Sequence, residues 1–369
     1  MFFREFNQPG LTDPNRSLHV MLDRGTSPGT RFFFENVRSA LAPGDFFLDH
    51  TTEQLYVWPR PDWLGGSSLD FVAVAPMDIS CLTLTGSDYT ILSNITFRDS
   101  SYEAEGCWCG PAGHPSDGAV VVRSSNNVRI EACSFLSGIG GYAVAATDGS
   151  LGLEVVGNAV HSVGQGGVIL YGGLDSYWRR LNATGPIHLQ PDGATVSHNY
   201  IGHSGRILKH VSGVDLSAAS GARVAHNRIE FMPRYGLSLV SNVGSKNAYG
   251  NVFEYNQIHA TSLETDDTSA IYFSATPGCA GLDTAACFGS IGWNLNNTIR
   301  YNNITRTVGV AAIDGVHVCV GGDNQGSGPP GLGCRNISMA IYFDGQDPHG
   351  SGYVGAEVYG NFIETSTGG

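Results

Sequence analysis

The sequence predicts an all-β solenoid, a parallel β-helix, and three observations support this prediction. Similar short apolar segments recur along the chain, each alternates with the two-residue period of a β-strand, and no helical period separates them. Gly accounts for 50 of the 369 residues and only 14% of residues are charged, which is typical of a chain rich in turns. We therefore expect short strands joined by turns throughout most of the chain.

The first 75 residues lie outside the repeat and are expected to form a small N-terminal cap. The stretch "APGDFFLDHTTEQLYVWPRP" (42–61) has an alternating strand, a polar turn at 51–53 and a second strand that ends in prolines. This pattern predicts a β-hairpin packed on the first coils. Residues 76–369 are expected to form the β-helix, truncated at its C-terminus, because Gly369 lies only eight residues after the last repeat.

An apolar-x-x-Asn-x-apolar pattern sets the length of one coil. It recurs as "VVGNAV" (155–160), "VSHNYI" (196–201), "VAHNRI" (224–229), "FEYNQI" (253–258), "IRYNNI" (299–304) and "VYGNFI" (358–363), with Cys133 in the Asn position of "IEACSF" (130–135). The shortest intervals are 25, 28 and 29 residues, and the longer ones are the same coil with inserted loops. Stacked Asn amides can hydrogen-bond to the copies above and below, and Asn tolerates the left-handed backbone of a sharp corner. We therefore expect a structural Asn ladder.

A second pattern runs in phase with the first and predicts at least two strands per coil. Its copies include "GVDLS" (213–217), "AIYFS" (270–274) and "AIYFD" (340–344). Alternation places Ile341 and Phe343 inward and Tyr342 and Asp344 outward. Because equivalent residues of successive coils stack about 4.8 Å apart, Asp344 is expected to stack on Ser274.

Charge and cysteine content limit the partners and the compartment. The net charge is −13 and Lys occurs twice, which argues against nucleic acid and anionic membranes and favours neutral ligands or cations. No run approaches the length of a membrane span. Eight Cys and six N-x-S/T sequons favour a secreted glycoprotein, although no signal peptide is present in the chain. The protein is expected to be a monomer. The sequons begin at Asn15, Asn94, Asn182, Asn296, Asn303 and Asn336.

Two Gly-rich loops are candidates for closure by disulfides. The first joins Cys279 and Cys287, and the second joins Cys319 and Cys334. The pairing of Cys81, Cys107, Cys109 and Cys133 stays open. Cys81 and Cys133 lie in strand patterns, which suit buried thiols.

Several segments carry a resemblance to a known group of proteins over nearly the whole chain. They are "PGDFFLD" (43–49), "LYVWP" (55–59), "HNYIGHSGR" (198–206), "HNRIEFMPRYGL" (226–237), "EYNQIH" (254–259), "ETDDTSAIYF" (264–273) and "AIYFDG" (340–345). The chain resembles the right-handed parallel β-helix proteins of the pectin-lyase-like superfamily, and within them glycoside hydrolases of the α-L-fucosidase and β-xylosidase types. This resemblance implies a polysaccharide substrate of plant or algal type.

The resemblance also implies a catalytic carboxylate pair, Asp344 and Asp267, with Asp266 beside the latter. Thr268 and Ser269 depart from the family pattern, which has glycines there. Glycosidases need two carboxyl groups about 5–9.5 Å apart, and stacked coils supply such spacings. An extended backbone would separate Asp267 from the Asp344 column by roughly 23 Å, so the pair requires the chain before the strand to curl back.

Further side chains are candidates for substrate binding. Asp215, Tyr272 and Tyr342 are expected in one outward column, where the two tyrosines could form a platform for a sugar ring. His203 and Arg206 lie in the turn after a repeat. Each has a structural alternative, namely packing within the ladder or capping of a turn.

Two other functions remain open. A polysaccharide lyase or uronate epimerase would use a base such as Lys209, Arg206 or His203, and Ca²⁺ or a cation to neutralise the substrate carboxylate. A non-catalytic glycan-binding or cell-surface β-helix needs neither a catalytic base nor a cation. No metal site or cofactor is expected, because the Cys spacings fit loop closure better than zinc; Ca²⁺ enters only with the lyase hypothesis.

Overall fold

A computed structural model describes ten stretches of the chain. They are residues 37–49, 51–63, 74–102, 118–174, 187–241, 248–265, 268–275, 294–308, 338–345 and 353–364. Within them the regular structure is β-strand, apart from two short 3₁₀ turns at Arg38–Ala40 and Pro61–Trp63. No helix in these stretches is long and apolar enough to cross a membrane.

Three parallel sheets of eight strands each form the body of the molecule. Sheet 1 contains Leu82–Thr85, Gly118–Arg123, Tyr142–Thr147, Val168–Tyr171, Ser212–Ser217, Tyr235–Ser241, Thr268–Ala275 and Ser338–Gly345. Sheet 2 contains Ile91–Ser93, Arg129–Glu131, Glu154–Val156, Thr195–Ser197, Arg223–Ala225, Val252–Glu254, Thr298–Arg300 and Glu357–Tyr359. Sheet 3 contains Thr96–Phe97, Ser134–Phe135, Ala159–His161, Tyr200–Gly202, Arg228–Glu230, Gln257–Thr261, Asn303–Thr307 and Phe362–Glu364.

One strand from each sheet makes a coil, and eight coils follow in chain order, numbered here 1 to 8. The predicted right-handed parallel β-helix is confirmed. Each coil has three strands, because the Asn pattern spans two of them: its first half lies in sheet 2 and its second half in sheet 3. Besides the N-terminal hairpin, the short strands outside the three sheets are Gly173–Leu174 with Ile187–His188, and Ala248–Tyr249 with Asn294–Leu295 and Tyr353–Val354.

Successive coils pair in register and fill the interior with stacked apolar side chains. In sheet 1, Ile271 pairs with Ile341, Phe273 with Phe343, and Ser274 with Asp344, as the repeated strand predicts. The inward residues Phe253 and Phe273 lie with ring centroids 5.3 Å apart, and both are fully buried. Burial of these apolar columns, roughly 25 cal/mol per Å², is the main stabilising contribution to the fold.

The predicted Asn ladder is present at the corner between sheets 2 and 3. Each Asn side chain donates from Nδ2 to Oδ1 of the Asn in the next coil over 2.9–3.0 Å, from Asn158 through Asn199, Asn227, Asn256 and Asn302 to Asn361. The expectation that these Asn adopt the left-handed conformation is wrong. The residue before each Asn adopts it, for example His198 and His226, each with φ of 57°. This leaves the Asn side chain directed inward, where it is buried in every coil of the ladder except the last, in which Asn361 is partly buried.

A second, shorter ladder joins Asn251 to Asn297 at the corner between sheets 1 and 2. Asn251 Nδ2 donates to Asn297 Oδ1 over 3.0 Å, and Asn251 Oδ1 accepts the Ala222 backbone N–H over 2.9 Å. An Asn occupies this corner in only two of the described coils, so the repeat in the sequence does not predict this ladder.

The predicted N-terminal hairpin is also present. Phe46–Asp49 pairs antiparallel with Gln54–Val57, and Glu53 takes the left-handed conformation at the turn, with φ of 55°. The Asp49 carboxylate accepts the backbone N–H of Thr51 over 2.9 Å, which closes the turn.

Two cysteines fall within the described residues, and both are free thiols. Cys133 is buried, as its strand pattern predicts, and its backbone N–H donates to Asn158 Oδ1 over 2.9 Å. Cys81 is exposed, so the expectation of a buried thiol is wrong there; it lies just before the first sheet 1 strand rather than inside it. The proposed disulfide partners Cys279, Cys287, Cys319 and Cys334, and also Cys107 and Cys109, lie outside the described residues.

Candidate functional site

Four of the predicted site residues lie on strands of sheet 1, namely Asp215, Tyr272, Tyr342 and Asp344. Asp215 and Asp344 are the two carboxylates on its eight strands. Asp215, Ser238, Tyr272 and Tyr342 occupy one column through coils 5 to 8, which confirms the predicted alignment. Asp344 lies two residues beyond Tyr342 on the same strand.

Asp344 is held by a hydrogen bond from the neighbouring coil. The Tyr272 hydroxyl donates to Asp344 Oδ2 over 2.7 Å. Burial raises the pKa of Tyr272 well above its ordinary value, and the nearby Tyr235 and the Asp344 carboxylate raise it further. The phenol therefore stays protonated and keeps donating. Asp344 itself is only partly buried.

The backbone around Asp344 is fixed as well. The Tyr353 hydroxyl lies 2.6 Å from the Asp344 carbonyl oxygen and 2.7 Å from the Phe273 carbonyl oxygen, so it bridges two adjacent coils. Asn294 Nδ2 donates to the Ser274 carbonyl over 3.1 Å. These bonds come from residues outside sheet 1, and they preorganise the end of the strand that carries the acid.

Three tyrosines, Tyr235, Tyr272 and Tyr342, form a continuous strip that we call the tyrosine strip. The rings of Tyr235 and Tyr272 stack, with centroids 4.3 Å apart, and Tyr342 meets Tyr272 edge-on at 5.6 Å. Tyr272 is only 8% exposed, so its faces are covered by its neighbours. Tyr342 is the partly exposed member of the strip, and it can contact a sugar ring.

Asp215 lies in the same column but is completely buried. Burial raises the pKa of Asp215 well above its ordinary value, while the hydroxyls of Ser238 and Tyr142 partly oppose this effect. Neither hydroxyl reaches it with the geometry of a full hydrogen bond, and Ser238 is hydrogen-bonded to Ser212 over 2.6 Å. A carboxyl in this setting favours its protonated form, so it can donate a hydrogen bond.

A histidine and an arginine that the sequence did not indicate lie at the start of the sheet 1 strands of coils 5 and 6. The Arg234 guanidinium lies 4.8 Å from the centre of the Tyr235 ring, and the His210 ring lies 5.9 Å from it. Burial and the positive charge of Arg234 lower the pKa of His210 well below its ordinary value. His210 is therefore neutral at neutral pH, and the same shift makes it a weaker base than an ordinary imidazole. Its position two residues before the strand that carries Asp215 is the signal that could have identified it.

Of the other predicted site residues, those that the structure describes lie far from Asp344. Asp266 and Asp267 lie outside the described residues. Thr268, which follows them, is six residues before Ser274 on an extended strand, or about 20 Å along it. His203 and Arg206 lie in the turn between sheets 3 and 1, at least three coils from Asp344, or about 14 Å along the axis.

The two described carboxylates of sheet 1 do not form a glycosidase pair. Asp215 and Asp344 are separated by three coil steps, about 14 Å along the axis, whereas a pair needs about 5–9.5 Å. Within the described residues, no group of three or more His, Cys, Asp or Glu side chains could hold a metal ion.

Comparisons with known proteins give structural neighbours only. No family model and no curated protein sequence matches the chain. A Dettilon tailspike protein is 12% identical with a TM-score of 0.27, over 61% of this chain and 43% of its own. The A-module of a mannuronan C-5 epimerase from Azotobacter vinelandii is 13% identical with a TM-score of 0.28, over 78% of this chain and 79% of its own. A surface adhesin of Streptococcus pneumoniae is 12% identical with a TM-score of 0.26, over 63% of both chains. The assignment of the chain to the right-handed parallel β-helix fold therefore depends on its own stacked parallel sheets.

Proposed function

We propose that the protein is extracellular and binds a polysaccharide along the outer face of sheet 1 in coils 5 to 8. The observation that supports this proposal is the hydrogen bond from Tyr272 to Asp344, which fixes a partly exposed carboxylate at one end of the tyrosine strip. Carboxylates accept hydrogen bonds from sugar hydroxyls, and a tyrosine offers an apolar ring with a polar tip. Tyr342 and Asp344, two residues apart on one strand, provide both on the same face.

For the reaction, we propose glycoside hydrolysis with Asp344 as one of the two carboxyl groups. The second group comes from outside the described sheet 1 strands, because Asp215 lies three coils away. Asp267 remains the proposed partner, and the pair requires its carboxyl group to lie within about 10 Å of Asp344.

Uronate lyase or epimerase chemistry is a second candidate, and one specific observation favours it. His210 is held in its neutral form, next to the permanently charged Arg234. A neutral imidazole can remove the proton α to a carboxylate, while a guanidinium can neutralise that carboxylate. The rings of His210, Tyr235 and Tyr272 follow one another towards Asp344, so both candidates use one surface.

Product analysis separates these reactions. Wild type, Asp344→Asn and His210→Gln are incubated with neutral plant and algal glycans and with uronate polymers. Hydrolysis predicts that reducing ends from a neutral glycan are lost in Asp344→Asn and kept in His210→Gln. Elimination or epimerisation predicts an unsaturated or epimerised uronate that His210→Gln no longer produces.

The control variant is Glu357→Gln. It changes an exposed acid on sheet 2 in coil 8, the coil that also contains Asp344. It should leave activity unchanged. Retention of a glycan without turnover would assign the protein as a binder. Absence of binding to every glycan tested would overturn the proposal.

A further inference from the structure

A groove of about 310 Å³ lies on the outer face of sheet 3, away from the sheet 1 face. Outward positions of coils 5 to 7 line it in two columns. One column contains Arg228, Gln257 and Asn303, and the other contains Glu230, His259 and Thr305. Successive members of a column are about 4.8 Å apart, so the groove presents polar side chains at regular steps along the axis.

The charged groups of this groove neutralise each other. Glu230 is 8% exposed; its Oε2 lies 2.9 Å from Arg228 Nη2, and its Oε1 accepts the Tyr200 hydroxyl over 3.0 Å. Burial raises the pKa of Tyr200, and the hydrogen bond to Glu230 raises it further, which keeps the phenol protonated as a donor. The ion pair thus carries no net charge, and the buried Glu230 carboxylate is held by two partners.

The remaining polar groups of the groove suit a neutral ligand. Nδ1 of His259 lies 2.8 Å from the Thr305 hydroxyl, which sets the orientation of the ring. The exposed amides of Gln257 and Asn303 make no hydrogen bond to any other described residue. Each amide offers a donor and an acceptor, the pair of functions that sugar hydroxyls require.

An aromatic wall borders the groove on the side of the neighbouring turn. Phe231 stacks on His203 with ring centroids 4.5 Å apart and meets His259 edge-on at 5.8 Å. His203, which the sequence suggested as a substrate-binding residue of the sheet 1 site, is therefore placed beside this second surface.

We propose that the sheet 3 groove is a second saccharide-binding site, selective for neutral oligosaccharides. The Glu230 carboxylate would repel a uronate, and the Arg228 guanidinium would repel a cationic sugar. A neutral chain instead contacts an ion pair without net charge and two amides that can hydrogen-bond to its hydroxyls. Sheets 1 and 3 form different faces of the coil, so the two sites can hold separate glycan segments.

Isothermal titration with xylohexaose, cellohexaose and laminarihexaose tests this site. The proposal requires the N-I-T sequon at Asn303 to be unmodified, because an N-linked glycan there would occupy the amide that is to bind the ligand. The protein is therefore produced in a host without N-glycosylation. The double variant Gln257→Ala/Asn303→Ala should bind at least one of these probes about tenfold more weakly, from the loss of two ligand hydrogen bonds. Tyr342→Ala on sheet 1 should leave that binding event unchanged. The two amides have no described protein partner, so the double variant should keep the thermal midpoint of the wild type.

The titrations also separate this proposal from the one for sheet 1. If sheet 1 binds no glycan, binding persists in Tyr342→Ala and weakens only in the double variant. Unchanged affinity in the double variant, tighter binding of a hexauronate than of the neutral probes, or no binding of any neutral probe would overturn the sheet 3 proposal.

Discussion

Replacement of Asn227 by Ala should measure how much the Asn ladder contributes to stability. Asn227 is in the middle of the ladder, and its side chain takes part in four hydrogen bonds. It donates to Val196 O and Asn256 Oδ1 over 2.9 and 3.0 Å, and it accepts from the Asn199 side chain and backbone over 2.9 and 3.1 Å. At about 0.5–1.5 kcal/mol net per bond, their loss lowers the free energy of unfolding by about 4 kcal/mol. The penalty is this large because the partners left behind are buried.

Urea denaturation followed by far-UV circular dichroism measures this change. Asn361→Ala is the matched control at the last described coil, where the side chain is only partly buried. Water can hydrogen-bond to the groups that lose their partner there, so the free energy of unfolding should fall by about 1–2 kcal/mol. If Asn227→Ala stays within 1 kcal/mol of wild type, or if both variants lose the same amount, the ladder does not stabilise the coils as argued.

Three further substitutions test burial and charge. Glu254 is buried between Arg223 and Arg300; burial alone would raise its pKa, but their hydrogen bonds outweigh it and the pKa lies below 4.5. Glu254→Gln should therefore lower the thermal midpoint at pH 7, corresponding to about 1–2 kcal/mol, and the difference should shrink as the pH falls below 4.5. Asp215 has a raised pKa from burial, so wild-type stability should fall as the pH rises above 3.8; Asp215→Asn should flatten this dependence and be more stable at pH 8. Phe253→Ala should lower the free energy of unfolding by about 3–5 kcal/mol in urea denaturation.

The repeat predicted the architecture well because stacking preserves residue type at equivalent positions. The six Asn and the two copies of Ala-Ile-Tyr-Phe gave both the coil and the pairing of Ser274 with Asp344. The sequence did not reveal that the Asn pattern covers two strands, because the corner between them is only two residues long. The left-handed residue before the Asn or Cys varies among Gly, His, Tyr and Ala.

The site was less accessible to prediction because its contacts join coils across long insertions. The hydrogen bond from Tyr272 to Asp344 links residues 72 positions apart, and it depends on side-chain direction as well as register. Tyr235 could have been found, because "YGLSL" aligns with "SAIYF" and places this ring beside the site column. His203 followed a family-like motif, yet the turn that contains it places the ring against Phe231, which follows a sheet 3 strand.

The proposed polysaccharide site on sheet 1 is tested by comparing the affinity of wild type, Tyr342→Ala and Glu357→Gln for a polysaccharide. Tyr342 and Glu357 both belong to coil 8, but only Tyr342 lies on the outer face of sheet 1. We predict that Tyr342→Ala weakens the binding of the preferred polysaccharide by tenfold or more, whereas Glu357→Gln binds like wild type. Equal affinity for all three proteins would contradict the assignment of the sheet 1 face as the polysaccharide site.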